Sequence, residues 1–348
     1  MRLAAALALL IATGVLSSPG LAPADPALAQ EALGRLHVSP DQQRNLLQHD
    51  VVSYPVDEHS ERELAVGVAV LVRAPLAHVA EFLGSDDLLA ADASIAARGP
   101  MPDPARPALP AVGFDGDERG EAESLLDAGP GTRFNLSPAE IAGLRAFRAS
   151  AGQSEIPTAR ISDQYRKLLR DRGDAYRRGG LRGIAPYARS GGAVTDPSAE
   201  LRSAGPDAVA VVRYGAELQG ALERYPAGRP EGLVDRVYWI KRRVQRRPQL
   251  SLLHQVVLTR ADVVAHVERY FYVGHSYNAA QIVTGAFAHD DGTVVFSTSR
   301  FSTDEVLGLG NQLKRSIGRA QLRDEMRRRL EAIAYALSRP GPSAPQAP

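Results

Sequence analysis

The chain has 348 residues and no cysteine, and its 41 basic and 40 acidic side chains leave a formal net charge of +1. Without cysteine there is no disulfide, thiolate metal site, catalytic thiol or lipidated N-terminal cysteine. A charge this close to zero carries no polyanion signature, and the length accommodates one elaborated domain or two small ones.

At the N-terminus, Arg2 gives a positive n-region, residues 3–16 an apolar h-region, and Ala27-Leu28-Ala29 before Gln30 a small-x-small cleavage site. These three parts in this order predict a signal peptide over 1–29, cleaved after Ala29, and a periplasmic or secreted, soluble mature chain. The apolar run is shorter than the roughly 20 residues that span a bilayer, and no later segment reads as a transmembrane span.

Residues 30–61 read as an N-terminal arm in which Ser39-Pro40-Asp41 starts a helix through Leu46 and Leu47. Over 62–73, Leu64, Val66, Val68, Val70 and Val72 recur with period two and Ala65, Gly67, Ala69 and Leu71 fill the other face, the pattern of a largely buried strand. Pro75 then opens a helix carrying Val79, Phe82 and Leu83, and 86–95 predicts a second, so that 62–97 gives the first strand and helices of an α+β domain.

Residues 98–233 read as an irregular loop and helical insertion. The stretch 98–131 is rich in Pro, Gly and acidic residues without a period, which predicts an irregular, mobile excursion. Ser137-Pro138-Ala139-Glu140 is a capping box that starts a helix through Ile141, Leu144 and Phe147. Tyr165, Leu168, Leu169 and Tyr176 mark a second helix over 161–178, and Val209, Val212, Leu218 and Leu222 a third over 206–225.

From 234 to 337 the pattern changes to strands over 234–244, 249–259, 263–273, 279–288 and 293–299, with Asp290-Asp291-Gly292 as hairpin-turn chemistry. Ser302-Thr303-Asp304-Glu305 then predicts the cap of a long helix, with Leu309, Leu313, Ile317 and Leu330 turned towards the sheet. Gly308, Gly310 and Gly318 each weaken such a helix by about 1 kcal/mol relative to Ala, so close packing is expected at those positions. Residues 338–348 read as a disordered tail.

The fold class is therefore α+β: an antiparallel sheet packed against a long C-terminal helix, with a large helical and loop insertion. This order of elements resembles the helix-grip fold of the START-like (SRPBCC) superfamily, with 62–75 as first strand, 75–95 as helices, 234–299 as meander and 303–337 as gripping helix. It departs from that pattern where the insertion stands in place of a direct continuation into strands. The resemblance implies an apolar cavity between the curved sheet and the helix, with a hydrophobic small molecule or lipid as ligand.

Candidate polar groups for such a pocket are Tyr238, Trp239, His254, Tyr270, Tyr272, His275 and Tyr277, with Leu309 and Leu313 from the helix. Strand tyrosines equally serve as core or rim residues. Gly274-His275-Ser276-Tyr277-Asn278 resembles the nucleophile elbow of α/β-hydrolases, but Asn278 replaces the final glycine and no acid stands between Ser276 and His289. His254 and His275 are also candidates for an acid/base pair or metal site with Asp235 or Glu268, although no H-E-x-x-H or H-x-H spacing supports a metal. His289-Asp290-Asp291-Gly292 lacks the further ligands of a calcium loop.

No P-loop or dinucleotide fingerprint implies a cofactor, and no catalytic residue is assigned. The basic runs 241–243 with 246–247, and 327–329, are of a kind that can meet phosphates or anionic lipid head groups but read first as solvated faces; basic residues do not interleave with aromatics, so no nucleic-acid partner is expected, and nothing specifies a protein partner. Three classes remain: a hydrophobic-ligand or lipid-binding protein, an envelope interaction or scaffold protein, and a hydrolase-like enzyme using His254 or His275.

Overall fold

The computed structural model describes residues 26–102, 109, 112–152, 154–205 and 214–338. The chain begins with α1 (Pro26–Arg35), α2 (Pro40–Leu47), β1 (Val52–Tyr54), β2 (Glu63–Val72), α3 (Leu76–Gly84), α4 (Asp87–Ala90) and β3 (Ile95–Pro100). The insertion carries α5 (Arg119–Leu126), α6 (Pro138–Ser150), α7 (Thr158–Gly179), β4 (Tyr187–Ala188), β5 (Val194–Thr195), α8 (Pro197–Ser203) and α9 (Gly215–Arg224). A meander follows, with β6 (Leu233–Val244), β7 (Arg247–Thr259), β8 (Val263–Val273), β9 (Ala279–His289) and β10 (Gly292–Ser302), and α10 (Asn311–Ser338) completes the fold.

The main sheet has eight strands in the order β1-β2-β10-β9-β8-β7-β6-β3, and every ladder is antiparallel. Short connections hold the meander in sequence order. The β9–β10 turn needs glycine at Gly292, where φ is 144° and an added Cβ would lie 2.1 Å from the Val72 carbonyl oxygen.

Both faces of the sheet are covered, which explains the wholly buried β2. On one face Val66, Val68, Val70 and Val264 pack with Val79 and Leu83 of α3 and with Met326, Leu330 and Ile333 of α10. On the other, Trp239, Leu252, Phe271 and Tyr272 pack under Ile141, Tyr165, Leu169 and Tyr176 of the insertion. The rest of that face, including Val267, Phe287 and Phe296, lies under α1, α2 and α9. The structure is thus α+β, a large antiparallel sheet with a long C-terminal helix on one face and a helical insertion on the other.

Polar anchors fasten the insertion. Ser137 and Glu140 form the expected capping box, and Glu140 also receives Arg172 through two contacts of 2.6 Å. Lys241 Nζ, nearly buried, reaches Asp115 and Glu118, each at 2.7 Å.

Four local expectations differ from the structure. The arm contributes β1 to the sheet edge, where Val52, Ser53 and Tyr54 pair with Ala69, Val68 and Gly67. The second helix expected over 86–95 stops at Ala90, and the chain turns into β3, whose Gly99 and Pro100 pair with Trp239 and Tyr238. Within 98–131, read as an irregular excursion, α5 buries Ala122 and Leu125 completely, because Lys241 and Arg247 draw its acidic residues onto the sheet. The long helix starts at Asn311 rather than at the Ser302–Glu305 cap. Thr303 caps only a short 3-10 turn over Asp304–Val306, and Gly308 and Gly310 take left-handed φ values of 78° and 72° that interrupt the helix. Gly318 has the close packing expected of it, since an added Cβ would lie 2.7 Å from Leu64 Cδ1.

The expected signal sequence up to residue 25, the positions Pro206, Val209 and Val212, and the tail from 339 lie outside the described residues. The expected cleavage site after Ala29 falls within α1, where Ala29 is itself buried. Among the described residues, no helix is long and apolar enough to cross a membrane.

Candidate functional site: a groove under the C-terminal helix

At one end of the sheet the β6–β7 turn, the β8–β9 connection, the end of β10 and the start of β2 come together beneath α10 between Lys314 and Ala332. They enclose a groove of about 840 Å³, within the size range of small-molecule sites. Leu64, Ile282, Phe301, Val306, Leu322 and Met326 form its apolar walls, and Asp92, Arg242, Tyr277 and Arg329 its polar floor. From Leu322 onward α10 is docked through Leu322, Met326, Leu330, Ile333 and Leu337, Gly318 packs closely on Leu64, and Leu313 and Ile317 remain exposed.

The floor is a buried charge network. Arg242 Nη2 donates to Asp92 Oδ2 at 2.9 Å and to Tyr270 Oη at 2.8 Å, and the guanidinium stands 5.2 Å from the Tyr270 ring centre. Arg329 Nη2 donates to Glu268 Oε2 in a short contact. Burial works to raise the Asp92 carboxyl, but Arg242, Arg329 and Ser94 outweigh it and hold the group below its ordinary value. Burial pushes Tyr270 up to about 12 and Tyr277 well above its ordinary value, so both phenols stay protonated donors.

Several buried atoms of this network have no hydrogen-bond partner among the described residues: Nε of Arg242 and of Arg329, the Tyr277 hydroxyl and Glu268 Oε1. Deeper on the same face, both His266 nitrogens are likewise unpartnered, and burial lowers that imidazole to about 4. Unpaired buried polar groups are costly, and several of them cluster in this region.

Of the side chains singled out in the sequence, Tyr277 lines the groove and Tyr270 backs its floor through Arg242. Tyr238 shares that sheet face but bonds to Asp86 and packs in the core with α3 and α4. Trp239, Tyr272 and His254 point to the opposite face, as strand alternation requires of Trp239 beside Tyr238. Tyr272 there meets Tyr165 Oη at 3.2 Å and carries the Arg172 guanidinium 4.4 Å from its ring centre.

Leu309 and Leu313 do not face the groove. They are 97% and 67% exposed, because the glycine interruption puts Leu309 outside the helix and Leu313 falls on its outer side.

The two histidine readings are also resolved geometrically. His254 lies between Tyr176 Oη at 2.8 Å and Asp235 Oδ2 at 3.3 Å, with burial lowering it. The cavity beside it is about 10 Å³, near the size of one water. His275 Nδ1 is 2.6 Å from Ser276 Oγ, and its Nε2 is 3.1 Å from the Pro248 carbonyl. Burial, with help from Arg247, lowers this imidazole to about 4, which makes it a weak base for a serine hydroxyl. Together with the Gln249 side chain donating to the His275 carbonyl at 2.7 Å, the pair braces the β8–β9 connection. Among the described residues, no group of three or more His, Asp or Glu is placed to hold a metal ion.

Arg242, Arg329, Asp92 and Glu268 were not singled out as groove residues from the sequence. The signal was present: Arg242 follows Tyr238 and Ile240 at strand spacing, and Arg329 follows Leu322 and Met326 on one helical stripe.

No family model matches the chain, and no curated protein does. Among solved structures, the crystal structure of Ara h 8.0201 is similar at 12% identity and a TM-score of 0.20. The match covers 29% of this chain and 65% of that one, just under two thirds of its length. The fold assignment rests on the sheet order and helix packing described above.

Proposed function

We propose that this is an exported protein of START-like, helix-grip organisation that binds a hydrophobic small molecule or lipid between the sheet and the C-terminal helix. The observation that carries this reading is the groove of about 840 Å³ between α10 and the sheet, with apolar walls and a small polar floor. That composition is the one small-molecule sites generally have. Export is supported by the n-region, h-region and small-x-small site at 1–29.

Uptake of a neutral apolar dye such as N-phenyl-1-naphthylamine tests the binding. Leu322→Trp puts added volume into the groove and is expected to abolish dye uptake. Leu330→Ala weakens the same helix without lining the groove and is expected to retain it. Equal dye uptake by both variants would remove the reading. Export is tested separately by placing Arg at Leu9 and Leu10, which is expected to trap the precursor in the cell.

One observation favours an envelope interaction protein as a second reading. Leu309 just before α10, and Leu313 and Ile317 in its first turns, are exposed by 97%, 67% and 50%, and exposed apolar side chains close together mark interaction sites. Retention of Leu309→Ser/Leu313→Ser protein in the same cross-linked envelope species as wild type would argue against it.

A further inference from the structure

The floor of the groove is unbalanced in a way that specifies a ligand head group. Its acceptor is satisfied: Asp92 takes the Ser94 hydroxyl at 2.6 Å and the Ser94 amide at 3.0 Å on Oδ1, and Arg242 at 2.9 Å on Oδ2. Glu268 belongs to the network but does not line the groove. The donors are not satisfied. Arg242 and Arg329 each use Nη2 alone for partners in the protein, which leaves Nε and Nη1 of both without one among the described residues. The Tyr277 hydroxyl has no partner either. Beyond the floor, the lining adds Arg243, Lys314 and Arg328 against Glu305 and Glu325.

Resting on the ligand-binding reading above, we propose that the groove selects amphiphiles with an anionic oxygen head, carboxylate in the simplest case. The head would lie against Arg242, Arg329 and Tyr277, with the chain along Ile282, Phe301, Leu322 and Met326. Guanidinium donors and a phenol hydroxyl favour an ionised oxygen acceptor over a neutral one. The apolar walls provide what an inorganic anion could not use, so the two halves of the site act on one molecule. Glu268 holds the Arg329 guanidinium from behind and limits its swing, a positioning role.

Displacement of the neutral dye by dodecanoate, dodecanol and methyl dodecanoate at pH 8 tests this, because the three share one chain and differ in the head. Dodecanoate is expected to displace the dye at a concentration lower by about tenfold or more, one charge-assisted interaction's worth. Equal displacement by all three would overturn the head-group proposal and leave the groove reading standing. Failure of the protein to bind dye or any of the three would overturn both.

Two variants assign the effect to these residues. Arg329→Met/Glu268→Leu removes the buried pair together, so no charge is left alone, and it is expected to lose the preference for dodecanoate over dodecanol. Tyr277→Phe deletes a hydroxyl that has no partner among the described residues, and it is expected to weaken dodecanoate several-fold with no loss of thermal stability. Full dodecanoate preference in both variants, folded by circular dichroism, would overturn the assignment.

Discussion

Arg329 of α10 and Glu268 of β8 meet where the helix crosses the sheet, the carboxylate side chain fully shielded from solvent and the guanidinium 11% exposed. Glu268 projects from the face of β8 that also carries the core residues Val264 and Tyr270, so the pair ties the helix to the sheet. Breaking it one-sidedly with Arg329→Met is expected to cost about 3 to 5 kcal/mol, since it strands a buried carboxylate. Replacing both partners with Met and Leu is expected to be close to neutral. Urea titration of the two variants beside wild type measures the difference.

Helix packing gives a second prediction. Leu330 is 1% exposed in the contact with the sheet, and Leu330→Ala should cost about 2 to 5 kcal/mol through lost burial and a cavity. Leu313, at 67% exposure, should change stability by under about 0.5 kcal/mol when cut to Ala. A chemical denaturation in which Leu313→Ala proved the more damaging would show that the first half of α10 docks on the sheet.

Buried histidines set the acid side of the stability profile. Burial lowers His266 and His275 to about 4, and it lowers His254 as well. Between about 4 and the ordinary histidine value near 6.5, the unfolded chain binds more protons than the folded one, so stability rises with pH. The contribution is complete above about 6.5 and is lost as pH falls through about 4. Urea midpoints measured from pH 7 down to 4 should fall, and His266→Leu should flatten the slope.

Glu200 works in the opposite sense. Burial, aided by Asp304 and opposed by the Asn278 amide, raises its carboxyl to about 7. The folded state then holds the extra proton between about 4.5 and 7, so this residue's contribution declines as pH climbs through that window. Glu200→Gln should therefore gain stability relative to wild type at pH 8 and not at pH 4.5, as read by thermal unfolding at both values.

Much of the architecture was legible because its signals are local and periodic. The strand pattern at Leu64, Val66, Val68, Val70 and Val72 and the capping box at Ser137 and Glu140 both appear as expected. The start of α10 was not legible from helical spacing alone: Leu309 and Leu313 continue the stripe, but two left-handed glycines stop the helix before it. The acidic stretch around the start of α5 reads as an irregular excursion until Lys241, against Glu118, and Arg247, against Glu121, are brought to it from distant points in the sequence. The groove was the least legible part. Its floor joins Asp92, Arg242, Tyr277 and Arg329 from four separate segments, and their charges resemble ordinary surface composition until the register of β6 turns Arg242 inward.

The place where the insertion leaves and rejoins the sheet has its own consequence. Met101 N donates to the Val237 carbonyl at 2.7 Å, next to the ladder that pairs Pro100 with Tyr238, so the excursion departs from and returns to neighbouring points on adjacent strands. Joined this way, its length bears only weakly on the free energy of closing the loop, which grows with the logarithm of the number of residues. Changes in the size of the excursion need not shift the strand ends around the groove, so one side of the sheet can change in bulk while the groove on the other keeps its dimensions.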